Sequence, residues 1–283
     1  MRFVTIQRDG DTEPGVLFDG RVIPIQGAGF ASLLEVIAGG ADALDRVRRW
    51  IGGPPSSHSL DPAGLTFAAP IPRPPKLICI GLNYRDHAAE SKLAIPEVPT
   101  MFAKFPTAVI GPGHPIVLPK NSIKPDYEAE FAVVIGRRGR HVAEDHWRDY
   151  VFGYTILNDV SARDVQNASS QWSLAKSFPT FCPLGPAIVT ADEIPDPHAL
   201  AISLTIDGVV HQNSNTRELI FQVPKLIEFI SSITPLLPGD IISTGTPSGV
   251  GLGRTPKRWL QPGETVSVTV DGLGTLTNPV VAE

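Results

Sequence analysis

The sequence predicts a strand-rich α+β protein, with a small α/β unit over residues 1–70 ahead of a larger body over 71–283. Two observations carry this reading. Glycine and proline together make up about 19% of the chain, against about 12% in average usage, so the chain turns often and is no helical bundle. Short β-branched segments bounded by Gly, Asp or Pro recur along the body, and only two helical stretches interrupt them.

Taken in order, MRFVTIQ and GVLFDGRVIPI read as short strands around Gly and Asp turns, and residues 32–51 follow with the apolar spacing of one helix. Arg46, Arg48 and Arg49 on that helix read as a solvated face. The turn-rich segment 52–64 and the proline-stiffened segment 68–76 mark the boundary between the units. Strands are then expected at 77–82, 129–136, 151–159, 199–210, 240–245 and 264–280, with helices at 83–93 and 216–233. Pro224 is placed to kink or divide the second helix.

Composition excludes several classes of function. A formal charge of −5 and a pI near 5.8 argue against a nucleic-acid partner. With 42% hydrophobic and 19% charged residues, the chain can bury a core and is not disordered. No run approaches the roughly 18 apolar residues of a membrane span, and the start lacks an apolar leader, so a cytoplasmic protein without a membrane partner is expected. Cys79 and Cys182 are the only cysteines, and they read as buried thiols rather than a disulfide or zinc site.

The chemistry concentrates in a few segments. In PDYEAEFAVVIG, a strand would project Glu128 and Glu130 from one face, and carboxylates roughly 6.5 to 7 Å apart repel by about 2 to 3 kcal/mol at an effective dielectric of 20. The apolar run Phe131 to Ile135 leads straight into a core, so a divalent cation is a natural compensation. Asp159, closing another apolar strand, adds a third oxygen ligand, and such a set favours Mg2+, Mn2+ or Ca2+. A solvated edge strand is the plain alternative for the Glu-x-Glu pair alone.

In GLNYRDHAAES, His87 and Glu90 share one helical face, and a carboxylate beside an imidazole suits a pair that takes a proton from water. An ordinary surface pair is the alternative; their position just after a buried strand favours the catalytic one. The other histidines, including His58, His114, His141 and His211, show no comparable companion in the sequence. Arg163, Gln166 and Lys176 are polar groups able to bind a carboxylate or hold an oxyanion. STGTPSGVGLG has the composition of an anion-holding loop but lacks the lysine of a P-loop.

The ordered motifs IGLNYRDHAAE, PDYEAEFAVVIG, GYTILNDVSARDVQ, LAKSFPTFCPLGP, TGTPSGVG and DGLGTLTNPV resemble the fumarylacetoacetate hydrolase family from about Lys76 to the C-terminus. The resemblance implies a mixed β-sandwich roll, a magnesium or manganese ion and a homodimer. It makes Glu128, Glu130 and Asp159 metal ligands, His87 and Glu90 a water-activating dyad on a lid, and Lys176, Arg163 and Gln166 contacts to the substrate or its oxyanion. Thr246 matches the position that holds the substrate carboxylate. Lys104 lies where relatives read Lys-Pro; here Phe105 intervenes, and no role is assigned to it.

The activity expected from this resemblance is hydrolysis of a carbon-carbon bond in a 2,4-dioxo acid, an acylpyruvate, to pyruvate and a carboxylic acid. Oxaloacetate decarboxylation and isomerisation of a 2-hydroxy-dienoate are alternatives on the same residues, and a non-catalytic oxo-acid-binding protein is a further one. Leu93, Ile95 and Val98 of the lid segment 91–99 suggest a partly apolar distal pocket.

Overall fold

A computed structural model of the protein describes residues 1–8, 10–52 and 59–283. The connector residues 53–58, with His58, lie outside the described residues. Among the described residues the largest sheet has eleven strands. Nine of them run in the order Arg21–Pro24, Asp11–Phe18, Arg2–Arg8, Cys182–Thr190, Val151–Asn158, Ala129–Ile135, Ile241–Ser243, Leu77–Gly81, Thr100–Ala103; Thr66–Ala68 pairs with Arg2–Arg8 and Val109–Ile110 with Cys182–Thr190. A second sheet of five strands runs Val209–Asn215, Ala201–Ile206, Thr265–Val270, Gly274–Ala282, Ile116–Leu118. The strand-rich α+β class is therefore the one that the sequence predicts.

The Ala129–Ile135 strand shows why the central segments are apolar on both faces. Phe131, Val133 and Ile135 pack in one cluster with Val266 and Val268 of the second sheet and with Leu226, Ile227 and Ile230 of the Val223–Ile233 helix. Ala132 and Val134 point the other way, into a cluster with Val36, Ile37 and Val47 of the N-terminal helices. A strand covered on both sides has no solvent face to leave polar.

The N-terminal strands do not form a sheet of their own. Arg2 and Phe3 pair antiparallel with Val189 and Ile188, so residues 2–24 extend the sheet of the body.

Several expected elements resolve differently in detail. The helix expected at 32–51 is two helices, Leu33–Ala38 and Gly40–Ile51, divided where Gly40 takes a φ of 57° that only glycine adopts without strain. The helix expected at 216–233 is a short 3-10 turn, Thr216–Glu218, followed by Val223–Ile233. Pro224 sits in the first turn of the latter, where its missing N–H has no partner to lose. Segments 199–210 and 264–280 belong to two hairpins, turning at Asp207–Gly208 and Asp271–Leu273. Cys182–Thr190, not expected as a strand, lies at the centre of the large sheet.

Candidate active site

The carboxylates meet because of strand register. Ala129 pairs with Asn158 and Glu130 with Leu157, and the Asp159 N–H donates to the Glu128 carbonyl at 2.9 Å. This closes the Glu128, Glu130 and Asp159 carboxylates to within 4.8 Å of one another, all three buried. Burial, then Asp159 and Glu128, push the Glu130 carboxyl well above its ordinary range. Burial would raise Glu128 as well, but Lys176 and Arg163 hold it far below the usual carboxylate range.

The cations are fixed by these acids. Lys176 Nζ bridges Glu128 Oε2 at 2.7 Å and Asp159 Oδ2 at 2.5 Å. Arg163 reaches Glu128 at 2.5 Å and Asp126 at 2.8 Å, and donates to Gln166 Oε1 at 2.8 Å. Lys104, fully buried, lies 2.6 Å from Asp159 Oδ1.

Glu130 has no such cationic partner among the described residues; it accepts from the Ser243 hydroxyl and from the Gly245 N–H. A buried all-oxygen donor set whose third carboxylate lacks a direct counter-charge fits a hard divalent cation, held by Glu128, Glu130 and Asp159.

The proton-transfer pair comes from the segment after the Leu77–Gly81 strand. Leu82 turns the chain at a φ of 51°, and buried Asn83 anchors it, donating to Thr244 O at 2.8 Å and Phe221 O at 3.0 Å. The Arg85–Ser91 helix then carries His87 and Glu90, with His87 Nδ1 3.3 Å from Glu90 Oε2. Both Glu90 oxygens accept from the Gly249 N–H, at 3.0 and 3.1 Å. Burial opposes ionisation of Glu90, but the bonds from His87 and Gly249 together lower its carboxyl below the ordinary value. With Glu90 ionised, Nδ1 of His87 serves as the donor and Nε2 is left as the base.

The glycine-rich loop does hold anions, and they are the protein's own. Its N–H groups serve Glu130 from Gly245, Glu90 from Gly249, and Asp126 from Gly251 and Leu252 at 2.7 and 3.0 Å. Gly249 takes a φ of 99°, and a Cβ there would stand 2.2 Å from the His211 carbonyl. Thr246 Oγ1, on the same loop, accepts from Gln212 Nε2 at 2.9 Å, which leaves its own hydrogen free for a ligand.

A cavity of about 490 Å³ gathers His87, Glu90, Glu128, Glu130, Arg163, Gln166, Lys176 and Thr246 on its walls. Asp159 stands behind them, wholly buried between Lys104 and Lys176. Of the lid residues, Leu93 lines the cavity; Ile95 and Val98 are exposed away from it, because the helix ends at Ser91 and Lys92 turns the chain at a φ of 54°.

His211 has no carboxylate companion among the described residues; its Nδ1 lies 3.1 Å from the Tyr127 hydroxyl and its carbonyl accepts from Arg254 at 2.6 Å. Sequence reasoning also passed over Lys104, Asp126, Asn83 and Gln212. Asp126 stood within a quoted motif, Lys104 was noted without a role, and the partners of all but Asp126 lie 34 or more residues away in the chain.

The model of the fumarylacetoacetate (FAA) hydrolase C-terminal family matches residues 76–281. The chain belongs to the fumarylacetoacetate hydrolase family. It is 46% identical over 228 residues, 80% of this chain and 72% of the relative, to the protein of Xenopus laevis named oxaloacetate tautomerase fahd2, mitochondrial. The crystal structure of a 5-carboxymethyl-2-hydroxymuconate delta-isomerase from Mycobacterium smegmatis is 38% identical, with a TM-score of 0.80 and 100% of each chain covered. Maleylpyruvate hydrolase from Sphingobium sp. SYK-6, in complex with manganese(II) ion and pyruvate, is 28% identical with a TM-score of 0.85, covering 100% of this chain and 99% of that one.

Members of the fumarylacetoacetate hydrolase family thus carry out several reactions on this fold, and one of them binds manganese. No helix among the described residues of this member is long and apolar enough to cross a membrane.

Proposed function

We propose that this protein is a divalent-cation-dependent enzyme that moves a proton at the carbon beside the keto group of a 2-oxo acid, interconverting the keto and enol forms of oxaloacetate. The observation that carries this reading is the His87–Glu90 pair, with Glu90 kept ionised by the Gly249 N–H, on the wall of the cavity that also holds the acidic triad. The likeness to the oxaloacetate tautomerase of Xenopus laevis supports oxaloacetate as the substrate.

Magnesium or manganese, held by Glu128, Glu130 and Asp159, would supply Lewis acidity toward the oxygens of the 2-oxo acid. Thr246 donates its free hydroxyl hydrogen to the substrate carboxylate, and Arg163 holds Gln166 in place at the cavity wall. His87 Nε2 takes the proton from C3, Glu90 stabilises the imidazolium, and the same proton returns to the oxygen on C2. No atom is gained or lost.

Acylpyruvate hydrolysis is the second reading, favoured by the same dyad, since a base able to take a carbon-bound proton can also take one from water, and by the likeness to maleylpyruvate hydrolase. The test is a panel of oxaloacetate, acetylpyruvate and fumarylpyruvate, followed by ultraviolet absorbance with magnesium, manganese or EDTA. Metal-dependent acceleration of keto–enol exchange in oxaloacetate without loss of total oxo acid supports the tautomerase reading. Pyruvate release from the acylpyruvates moves the assignment to the hydrolase, and pyruvate from oxaloacetate moves it to a decarboxylase. A homodimer, which the family resemblance supports, is part of the proposal and is checked by light scattering.

A further inference from the structure

The cations on the cavity wall are Arg163, Lys176 and Lys257. The first two are already neutralised, each bound to two carboxylates of the protein. Lys257 is different: no hydrogen bond or ion pair engages its ammonium group among the described residues, and its side chain is exposed at the cavity. It therefore presents a positive charge that none of the described groups of the protein uses.

Its backbone is nevertheless held firmly. Arg254, three residues before it, donates to the Gly249 carbonyl and the Tyr127 hydroxyl, both at 3.2 Å, and to the His211 carbonyl at 2.6 Å. Arg258, the next residue, bonds Glu264 at 2.6 Å, and its N–H donates to the Gly251 carbonyl at 3.1 Å. Leu260 N–H donates to the Pro125 carbonyl at 2.8 Å. The neighbouring cations are spent on fixing this segment, and Lys257 is left with a rooted base and a free tip at the cavity.

From this we infer that Lys257 receives a second carboxylate, carried at the far end of the 2-oxo acid, and so selects dicarboxylates over monocarboxylates. The inference rests on the reading of the cavity as a 2-oxo acid site. The acidic triad and Thr246 serve the carboxylate and oxo group at one end of the ligand; the distal charge needs a separate cation, because Arg163 and Lys176 have no unpaired charge to offer. A lysine suits this place, being a mobile point charge that reaches ligands of several lengths.

The experiment is calorimetric titration of the magnesium-loaded protein with oxaloacetate and with 2-oxobutanoate, which has a methyl group in place of the second carboxylate. The wild type is expected to bind oxaloacetate more tightly. In Lys257→Gln the affinity for oxaloacetate falls about fivefold, the size of a partly exposed ion pair, while that for 2-oxobutanoate is unchanged. Lys257→Arg keeps the preference, and Lys257→Glu lowers oxaloacetate binding further. Equal losses for both acids, or no loss for oxaloacetate, overturn the inference. Keto–enol exchange is read in the same preparations. A wild type that binds selectively through Lys257 yet does not accelerate exchange overturns the proposed reaction alone, an active enzyme whose selectivity survives Lys257→Gln overturns the inference alone, and failure to bind either acid overturns both.

Discussion

His87 and Glu90 illustrate how a single residue acquires its role from a neighbour distant in sequence, since Glu90 is held by Gly249. Substituting His87 with Gln is expected to lower turnover by about 10² to 10⁴, the usual contribution of a general base, while calorimetric magnesium affinity stays at the wild-type value. Lys104 offers a test of packing against charge. It and Asp159 are both fully buried, so Lys104→Met leaves Lys176 as the one remaining cationic partner of Asp159 and takes the donor from Oδ1, and urea unfolding should show a loss of about 2 kcal/mol. His211 gives the pH dependence. Burial, then Arg254 and Arg258, lower it to about 4, from 6.5 in the free side chain, so between those values the unfolded chain binds more protons than the folded one. Stability therefore rises with pH across that window, and the denaturation midpoint of His211→Gln should rise less steeply there than that of the wild type.

Strands and loops rather than helices carry the site. Glu128 and Glu130 were legible as a pair from their spacing at the start of a strand; the strand begins at Ala129, with Glu128 just before it, and Asp159 joins them through the pairing of Ala129 with Asn158. The loop from Gly245 to Gly253 was legible only as a composition; that its N–H groups face three carboxylates of the chain depends on which strands lie beside it. Gly249→Ala would place a methyl group against the His211 carbonyl, and is expected to cost activity more than magnesium binding, since Glu90 loses its donor while the triad is untouched. Steady-state rates beside calorimetry check this. The Cys182–Thr190 strand was missed because Pro183 and Pro186 argue locally against a central strand. It is accommodated there with a register shift opposite Tyr154 to Ile156, where the ladder is interrupted and the lost donors matter least.

Across the whole molecule, the triad couples metal to stability. Glu130, buried beside two other acids, has no direct cationic partner among the described residues, so magnesium should raise the melting temperature of the wild type, by about 2.7 kcal/mol of stability at about a hundred times Kd, and should leave Glu130→Ala unmoved. The N-terminal strands share the large sheet, and Phe3 and Val36 share a core with Val134, so a single calorimetric unfolding transition is expected for the chain, although the family match begins only at residue 76. The amino-acid pattern was sufficient for the strand-rich class and pointed to the Glu128–Glu130 and His87–Glu90 pairs, because each depends on residues close in the chain and on the fixed period of a strand or helix. Packing in three dimensions settled the rest: which cations are consumed by the triad, that Lys104 lies beside Asp159, that the glycine loop secures Glu90, and that, among the described residues, Lys257 alone of the cavity's cations has no ion-pair partner. Those facts join segments tens to more than a hundred residues apart, and no local period records which distant charge will neutralise which.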